Sequence, residues 1–503
     1  MEAGMQNWHR IMFLLTIIFM GYGTASGGEA PVSEATQECL DCHAVFHPGI
    51  VADWQKSRHA GTTVQAALAK EGMQRRLTGT DIPAALHGSS VGCAECHTLR
   101  GAKHADTFEH NGYDIHVVVS PDDCATCHAT EREQYSGNIM AMAEKNLSEN
   151  KLYADLQRTI LGAGERKSGK IHFSPANDLT RADACYYCHG TRLKVTGTQT
   201  RDTDAGELEF PVIAGWPNQG VGRVNLDGSR GACSACHTRH QFSIEMARKP
   251  YTCKECHVGP DVPAFKVYSA SKHGNIFASM HNQWDFNAVP WTLGADIQAP
   301  TCATCHISLT VNADGEEINP RTHRMSDRLG QRIFGLIYAH PQPKSPDTTI
   351  IRNRAGLQLP TNLDGSFAEQ YLISEEEAAG RRTAMQRTCL ACHSTGWVGG
   401  YFKRLDNTIA VSNQSVQTAT QVMQQIWDAG YAQGPGAGGS LFDEYIERRW
   451  SDIWLLYANN VRFVAAMAGG GDYGVFEDGR YHLTKALMHM QDWKKTRDLL
   501  EKK

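Results

Sequence analysis

The sequence predicts a mainly α chain, with short helices and loops wrapped around covalently attached groups and a bundle of long helices at its end. Three observations lead there. Sixteen cysteines fall into eight C-x-x-C pairs, each followed at once by a histidine. The linkers between the pairs are rich in Gly, Asp, Asn and Pro and show little of the alternation that marks strands. From residue 403 onward apolar residues recur at three- and four-residue spacing, the period of a helix with one buried face.

At the N-terminus Arg10 precedes the apolar run IMFLLTIIFM and then the small residues GTASGG. This is the order of a secretory signal peptide, with cleavage expected near Ala25 to Gly28. The run is too short to cross about 30 Å of hydrocarbon comfortably. No later stretch is long and apolar enough for a membrane span, so the mature chain is expected to be soluble and exported, to the periplasm or an equivalent compartment. A net charge of −5 offers no basic footprint for nucleic acid.

The pairs are Cys39/Cys42, Cys93/Cys96, Cys124/Cys127, Cys185/Cys188, Cys233/Cys236, Cys253/Cys256, Cys302/Cys305 and Cys389/Cys392, followed by His43, His97, His128, His189, His237, His257, His306 and His393. C-x-x-C-H is the attachment signature of a c-type haem: two thiols add to the vinyl groups and the adjacent imidazole reaches the iron. Zinc sites and disulfides use paired cysteines too, but neither needs a histidine after every pair. Eight covalent haems are expected, and export agrees, because haem is attached to such cytochromes outside the cytoplasm. With 503 residues less the signal, roughly 60 residues remain per haem, far below an ordinary domain, so the haems must share one core. The expected division is a signal peptide over 1–27, a haem-binding domain over 28–402 and a helical region over 403–503.

Between Gln37 and His306 the signatures arrive every 20 to 61 residues, and Cys233 and Cys253 are the closest pair. Ser374 followed by three glutamates predicts a helix start leading into the eighth signature. Beyond it, GPGAGG separates two helical stretches. Phe442, Tyr445, Trp450, Trp454, Tyr457 and Phe463 exceed one narrow stripe, so both core packing and subunit contact are open for them.

An iron held by two imidazoles is a relay, whereas an open side can bind substrate. Fourteen histidines outside the signatures and the signal could serve as sixth ligands. His59, His240 and His273, beside small or polar residues near signatures, are favoured; His87, His104 and His116 are further candidates. His482 and His489 are read as helix-face residues.

The eight motifs in this order, the close fifth and sixth pair in GACSACHTRHQFSIEMARKPYTCKECHVGPD, the SKHG that follows and the helical C-terminus together resemble the octahaem hydroxylamine oxidoreductase family. The resemblance implies homotrimers, seven bis-histidine relays, and a catalytic haem at the fourth signature, Cys185, Cys188 and His189. In oxidative members a tyrosine of the neighbouring subunit is bonded to that haem. Tyr473, then Tyr481, are the candidates here, in GGGDYGVFEDGRYHL. Phe476, Glu477, Asp478 and Gly479 stand where the oxidative pattern places tryptophan, histidine and glycine. That departure, with ATQECLDCHAVFHPGIVADWQKSRHA near the N-terminus, resembles the branch without the crosslink, which reduces nitrite or nitric oxide. Distal proton donors are sought among Asp227, His240 and Tyr268. The expected activity is reduction of a small inorganic nitrogen compound, with other exported cytochromes or small redox proteins as partners. Oxidation of hydroxylamine or hydrazine, and pure electron transfer, are the alternatives; reduction of tetrathionate or sulfite is a weaker one.

Overall fold

The computed structural model describes residues 30–204, 206–435 and 439–502. The expected signal peptide lies outside them. Among the described residues no helix is long and apolar enough to cross a membrane.

The haem-binding part is mainly short helices, each fixed by local chemistry. Ser33 caps the Glu34–Phe46 helix, its hydroxyl accepting from Thr36 N at 3.1 Å. This helix carries the first signature and packs on Cys93–His97, which carries the second. The Thr36 hydroxyl donates to Glu95 at 2.7 Å and accepts from Ala94 N at 3.1 Å. Gly92 permits the approach, since a Cβ there would lie 2.4 Å from the Thr36 methyl.

Strands are few and mostly peripheral, but two antiparallel hairpins flank the fourth signature: Ala163–Lys167 with Lys170–Ser174, and Lys194–Thr203 with Gly206–Ala214. Sequence reading did not single them out. Both are largely exposed, so little burial imposes the alternation by which strands are recognised.

Ser374 caps Glu375–Leu390 as expected, accepting from Glu377 N at 3.1 Å. Ser394 then starts a 34-residue helix, Thr395–Asp428, which at 1.5 Å per residue is about 50 Å long. The expected boundary at 402/403 falls inside this helix, which begins two residues after His393. Tyr445–Asp452, a π-turn over Ile453–Tyr457, Ala458–Ala466 and Arg480–Leu500 pack along it. Val416, Met423, Ile426, Phe442, Trp450, Trp454 and Met490 form their shared core. The indole of Trp450 donates to the Thr420 hydroxyl at 3.0 Å, so its polar atom is satisfied inside an apolar core. Of the six aromatics left open by the sequence, Phe442, Trp450, Trp454 and Phe463 are buried, whereas Tyr445 is 62% exposed.

Candidate haem centres and the fourth signature

The spacing of the signature becomes geometry through one helical turn. Cys93–His97, Cys185–His189 and Cys302–His306 are five-residue helices, and positions i, i+3 and i+4 share a face. Two thiols and an imidazole therefore converge on one group. Backbone carbonyls orient the imidazoles: His97 Nδ1 lies 2.7 Å from His116 O, and His306 Nδ1 lies 3.1 Å from Met325 O. That contact leaves Nε2 for a metal.

The interior fits haem in three respects. Imidazoles face the signature histidines across a constant gap: His43 and His110 have ring centres 6.1 Å apart, His128 and His59 6.3 Å, His97 and His240 6.5 Å, and His393 and His273 6.2 Å. A metal–nitrogen bond of about 2 Å on each side, plus about 1.1 Å from nitrogen to ring centre, separates two rings on one iron by about 6 Å. Burial, with neighbouring imidazoles, also pushes His59 and His237 down to about 4, and His323, beside His237, likewise to about 4. These rings are held neutral, the form that ligates metals.

The third respect is charge. Arg76 is pushed down to about 9 by burial and by Arg321, Arg248 and Arg58, and its Nε has no partner. Grouped buried guanidiniums call for anions, which haem propionates would supply.

Thiols from different signatures adjoin. Cys39 meets Cys93, Cys124 meets Cys233, Cys188 meets Cys256, and Cys253 meets Cys302. Cys96 neighbours Cys127, Cys236 neighbours Cys253, and Cys305 neighbours Cys389. The signatures thus form one connected series, one, two, three, five, six, seven, eight, with the fourth branching from the sixth.

Cys42 and Cys392 qualify the expectation that the haems share one core. Both are exposed, whereas the other fourteen cysteines are partly buried. The motif itself is intact at each. Cys42 lies within the Glu34–Phe46 helix, and His393 N donates to Cys389 O at 2.9 Å, which keeps the helical turn through Cys392. Cys42 and Cys392 are the second thiols of the first and eighth signatures, two of the three ends of the branched series; their partners Cys39 and Cys389 lie against Cys93 and Cys305.

The fourth signature is held by glycines. Gly190 has φ +93°, and a Cβ on it would lie 2.2 Å from Arg223 N; one on Gly222 would lie 2.6 Å from both Glu144 N and His189 O. Only backbone without side chains packs this closely. The His189 ring bonds to the backbone of Ala143 and is pushed down by burial. The charges acting on it are Asp261 and Arg332. Asp261 also acts on Cys185, Cys188 and Tyr153, and Tyr153 interacts with Arg332. Burial raises the Tyr153 hydroxyl and lowers the Arg332 guanidinium. No ring of the described residues pairs with His189.

Three residues sought as distal donors stand elsewhere. Asp227 pins a turn next to the third signature, accepting from Ser120 Oγ at 2.7 Å, Ser229 N at 2.9 Å and Arg100 at 3.3 Å. Its turn-forming sequence NLDGSRG dictates that role. His240 faces His97, at the second signature. Tyr268 donates to Pro300 O at 3.1 Å and neighbours Cys302 and Cys305 of the seventh. The residues missed were Asp261, Arg332 and Tyr153; only Asp261, four residues beyond His257, carried a local signal.

Among the sixth-ligand candidates, His59, His240 and His273 face signature histidines. His87 does not: its Nε2 lies 3.1 Å from Ile82 O. His104 and His116 stack on one another; the His116 ring also lies 6.1 Å from that of His97, whose Nδ1 is held by the His116 carbonyl and which His240 faces at 6.5 Å. The His104 ring pairs with no signature histidine among the described residues. His110 faces His43, and His323 neighbours His237 and His128, places that sequence reading gave to neither. Tyr473 is half-buried and Tyr481 is 50% exposed, its ring against Phe476 and His482; within one chain neither contacts the fourth signature among the described residues.

Comparison with known proteins agrees. The family described as seven times multi-haem cytochrome CxxCH matches residues 218–316 and 366–437, and that of cytochrome c554 and c-prime matches residues 123–209. A solved structure described as a hypothetical multiheme protein is 40% identical, covers 94% of this chain and 97% of its own, and superposes with a TM-score of 0.87. The reducing hydroxylamine oxidoreductase-like protein complex of Kuenenia stuttgartiensis shares the fold at 17% identity, over 93% of this chain and 86% of that one, with a TM-score of 0.62. A probable nitrite reductase–hydroxylamine oxidoreductase fusion protein of the same organism is 22% identical over 413 residues; these are 79% of this chain and only 38% of the fusion. The chain belongs to the multihaem c-type cytochromes and carries the fold of their hydroxylamine oxidoreductase-like members.

Proposed function

We propose that this cytochrome carries eight haems and reduces nitrite, or nitric oxide, to hydroxylamine or ammonia at the fourth signature, with the other seven as bis-histidine relays. The surroundings of His189 carry the reading: a carboxylate, a guanidinium and a phenol gather there, whereas His43, His97, His128 and His393 each face a second imidazole. When bound, the haem supplies an iron with one free position for a nitrogen ligand.

The protein's own residues supply the rest. Arg332 attracts and orients an anion. Reducing nitrite to hydroxylamine and water consumes four electrons and five protons, and Asp261 and Tyr153 are placed to pass protons to the bound oxygens. The contact of Cys188 with Cys256 gives electrons a short path from the sixth signature. His59, His110, His240, His273 and His323 complete five of the relays. The protein works in an extracytoplasmic compartment as a homotrimer, fed by other exported cytochromes. The exposed thiols Cys42 and Cys392 bring two ends of the series to the surface, where such a partner can reach them. The exposed hairpins beside the fourth signature and exposed Tyr445 are the surfaces offered for assembly.

The test is steady-state reduction of nitrite and nitric oxide with a reduced viologen, together with ferric spin-state spectroscopy. Turnover with one high-spin haem in eight supports the proposal. Eight low-spin haems without turnover would leave electron transfer alone. A non-c-type absorption band with Tyr473 or Tyr481 crosslinked to haem would mean oxidation of hydroxylamine or hydrazine.

A further inference from the structure

A buried cluster lies between the second and third signatures; its His116 ring stands 6.1 Å from that of His97, whose Nδ1 the His116 carbonyl holds, while His240 faces the same ring at 6.5 Å. The side chains of His104, Asp106, His116 and Asp123 are at most 1% exposed. The His104 and His116 rings stack with centres 3.7 Å apart, inclined by 6°. His104 Nε2 lies 3.1 Å, and His116 Nε2 3.7 Å, from Asp123 Oδ2. One ligand atom from each of His104, His116 and Asp123 falls within 4.8 Å of the others. Both ring nitrogens of His116, Nδ1 of His104 and Oδ1 of Asp106 lack any hydrogen-bond partner. Four unpartnered buried polar atoms around one point are rare in a folded interior.

We propose that His104, His116 and Asp123 bind one first-row divalent cation of the zinc class. Two imidazoles and a carboxylate suit zinc or its neighbours rather than calcium or magnesium, which take oxygen sets. Bonds of about 2.0–2.2 Å draw the three ligand atoms together with little backbone movement, and one stacked ring turns so that both lone pairs meet at the ion. The supporting groups stand ready. Asp106 Oδ2 accepts from Val117 N and Val118 N, each at 2.9 Å, and its Oδ1 lies 3.7 Å from His104 Nδ1. Closed by a small shift, this pair becomes the carboxylate–histidine–metal arrangement that fixes tautomer and ring. Ser120 N donates to Asp123 Oδ2 at 2.7 Å. Arg100, 3.1 Å from Asp123, opposes a cation, but Asp227 at 3.3 Å shares its charge. Because His116 O holds the His97 ring and Asp123 precedes Cys124, the ion ties the second signature to the third.

The test counts metals in the purified holoprotein after zinc loading and gel filtration, with haem measured in parallel. One zinc per chain is expected in the wild type, lost in His104→Ala and in His116→Ala, with zinc-edge absorption showing two imidazoles and one oxygen donor. A wild type without stoichiometric zinc overturns the proposal, whether or not the variants fold. Zinc retained by both folded variants overturns it as well. So does a His116→Ala protein in which a low-spin haem turns high-spin while zinc stays bound, since His116 is then a haem ligand.

Discussion

His273→Ala isolates one relay. His273 stands at the second position of the Lys272–Met280 helix, whose cap, the Ser271 hydroxyl, accepts from Gly274 N at 3.1 Å. Alanine is the strongest helix former, so the backbone should survive the change. The lost imidazole lies 6.2 Å from that of His393, and burial with His393 keeps it neutral. Its removal leaves one iron with a single imidazole. With the fourth site as the one open iron of eight, the high-spin share doubles, from one haem in eight to two in eight. Ferric electron paramagnetic resonance integrated against total haem reads this ratio, and added imidazole should restore the original share. An unchanged share with haem content intact would refute the pairing of His273 with His393, and with it the inference from ring separation to ligation.

Further outcomes follow from other parts of the protein. Asp261→Asn should lower turnover on nitrite by roughly 10²-fold or more while relay spectra stay as in the wild type, because a positioned proton donor is worth that much; unchanged steady-state rates would remove Asp261 from the chemistry. Gly222→Ala places a methyl against Glu144 N and His189 O, and peptide mass mapping should show lost haem attachment at Cys185 and Cys188 before any other signature. Trp450→Ala empties a fully buried indole site and should cost about 3–5 kcal/mol of stability in denaturant titration. Glu447 is pushed up from 4.5 to about 7, chiefly by burial. Folded, it holds its proton more tightly than unfolded, so stability is full below about pH 4.5 and falls as pH rises toward 7; Glu447→Gln should flatten thermal stability across that window.

Much of this protein was legible in its sequence because covalent chemistry demands fixed spacing. Cysteines at i and i+3 with histidine at i+4 share a helical face whatever lies around them, so the expected haem ligands from Cys39 to His393 were readable one motif at a time. The cap at Ser374 and the apolar period beyond 403 are local for the same reason. His59, His240 and His273 were picked out by residues beside them.

What faces those ligands is a matter of tertiary structure. Asp261 follows the sixth signature, Arg332 the seventh, and Tyr153 precedes the fourth, yet all three act around His189; no period or spacing encodes that convergence. Eight identical motifs gave no sign that Cys42 and Cys392 would be exposed, because exposure depends on how the folded chain covers each motif. Asp227 was misplaced because a turn residue can donate only where the chain carries it. His104 and His116 were read as further candidate haem ligands because composition supplies imidazoles but not directions; packing sets them against each other and Asp123, with His116 also 6.1 Å from His97. Local covalent geometry is decided within a helical turn, and so belongs to the sequence. The grouping of Asp261, Arg332 and Tyr153 around His189 and the cluster at Asp123 are made by residues far apart in the chain, and only the folded backbone brings them together.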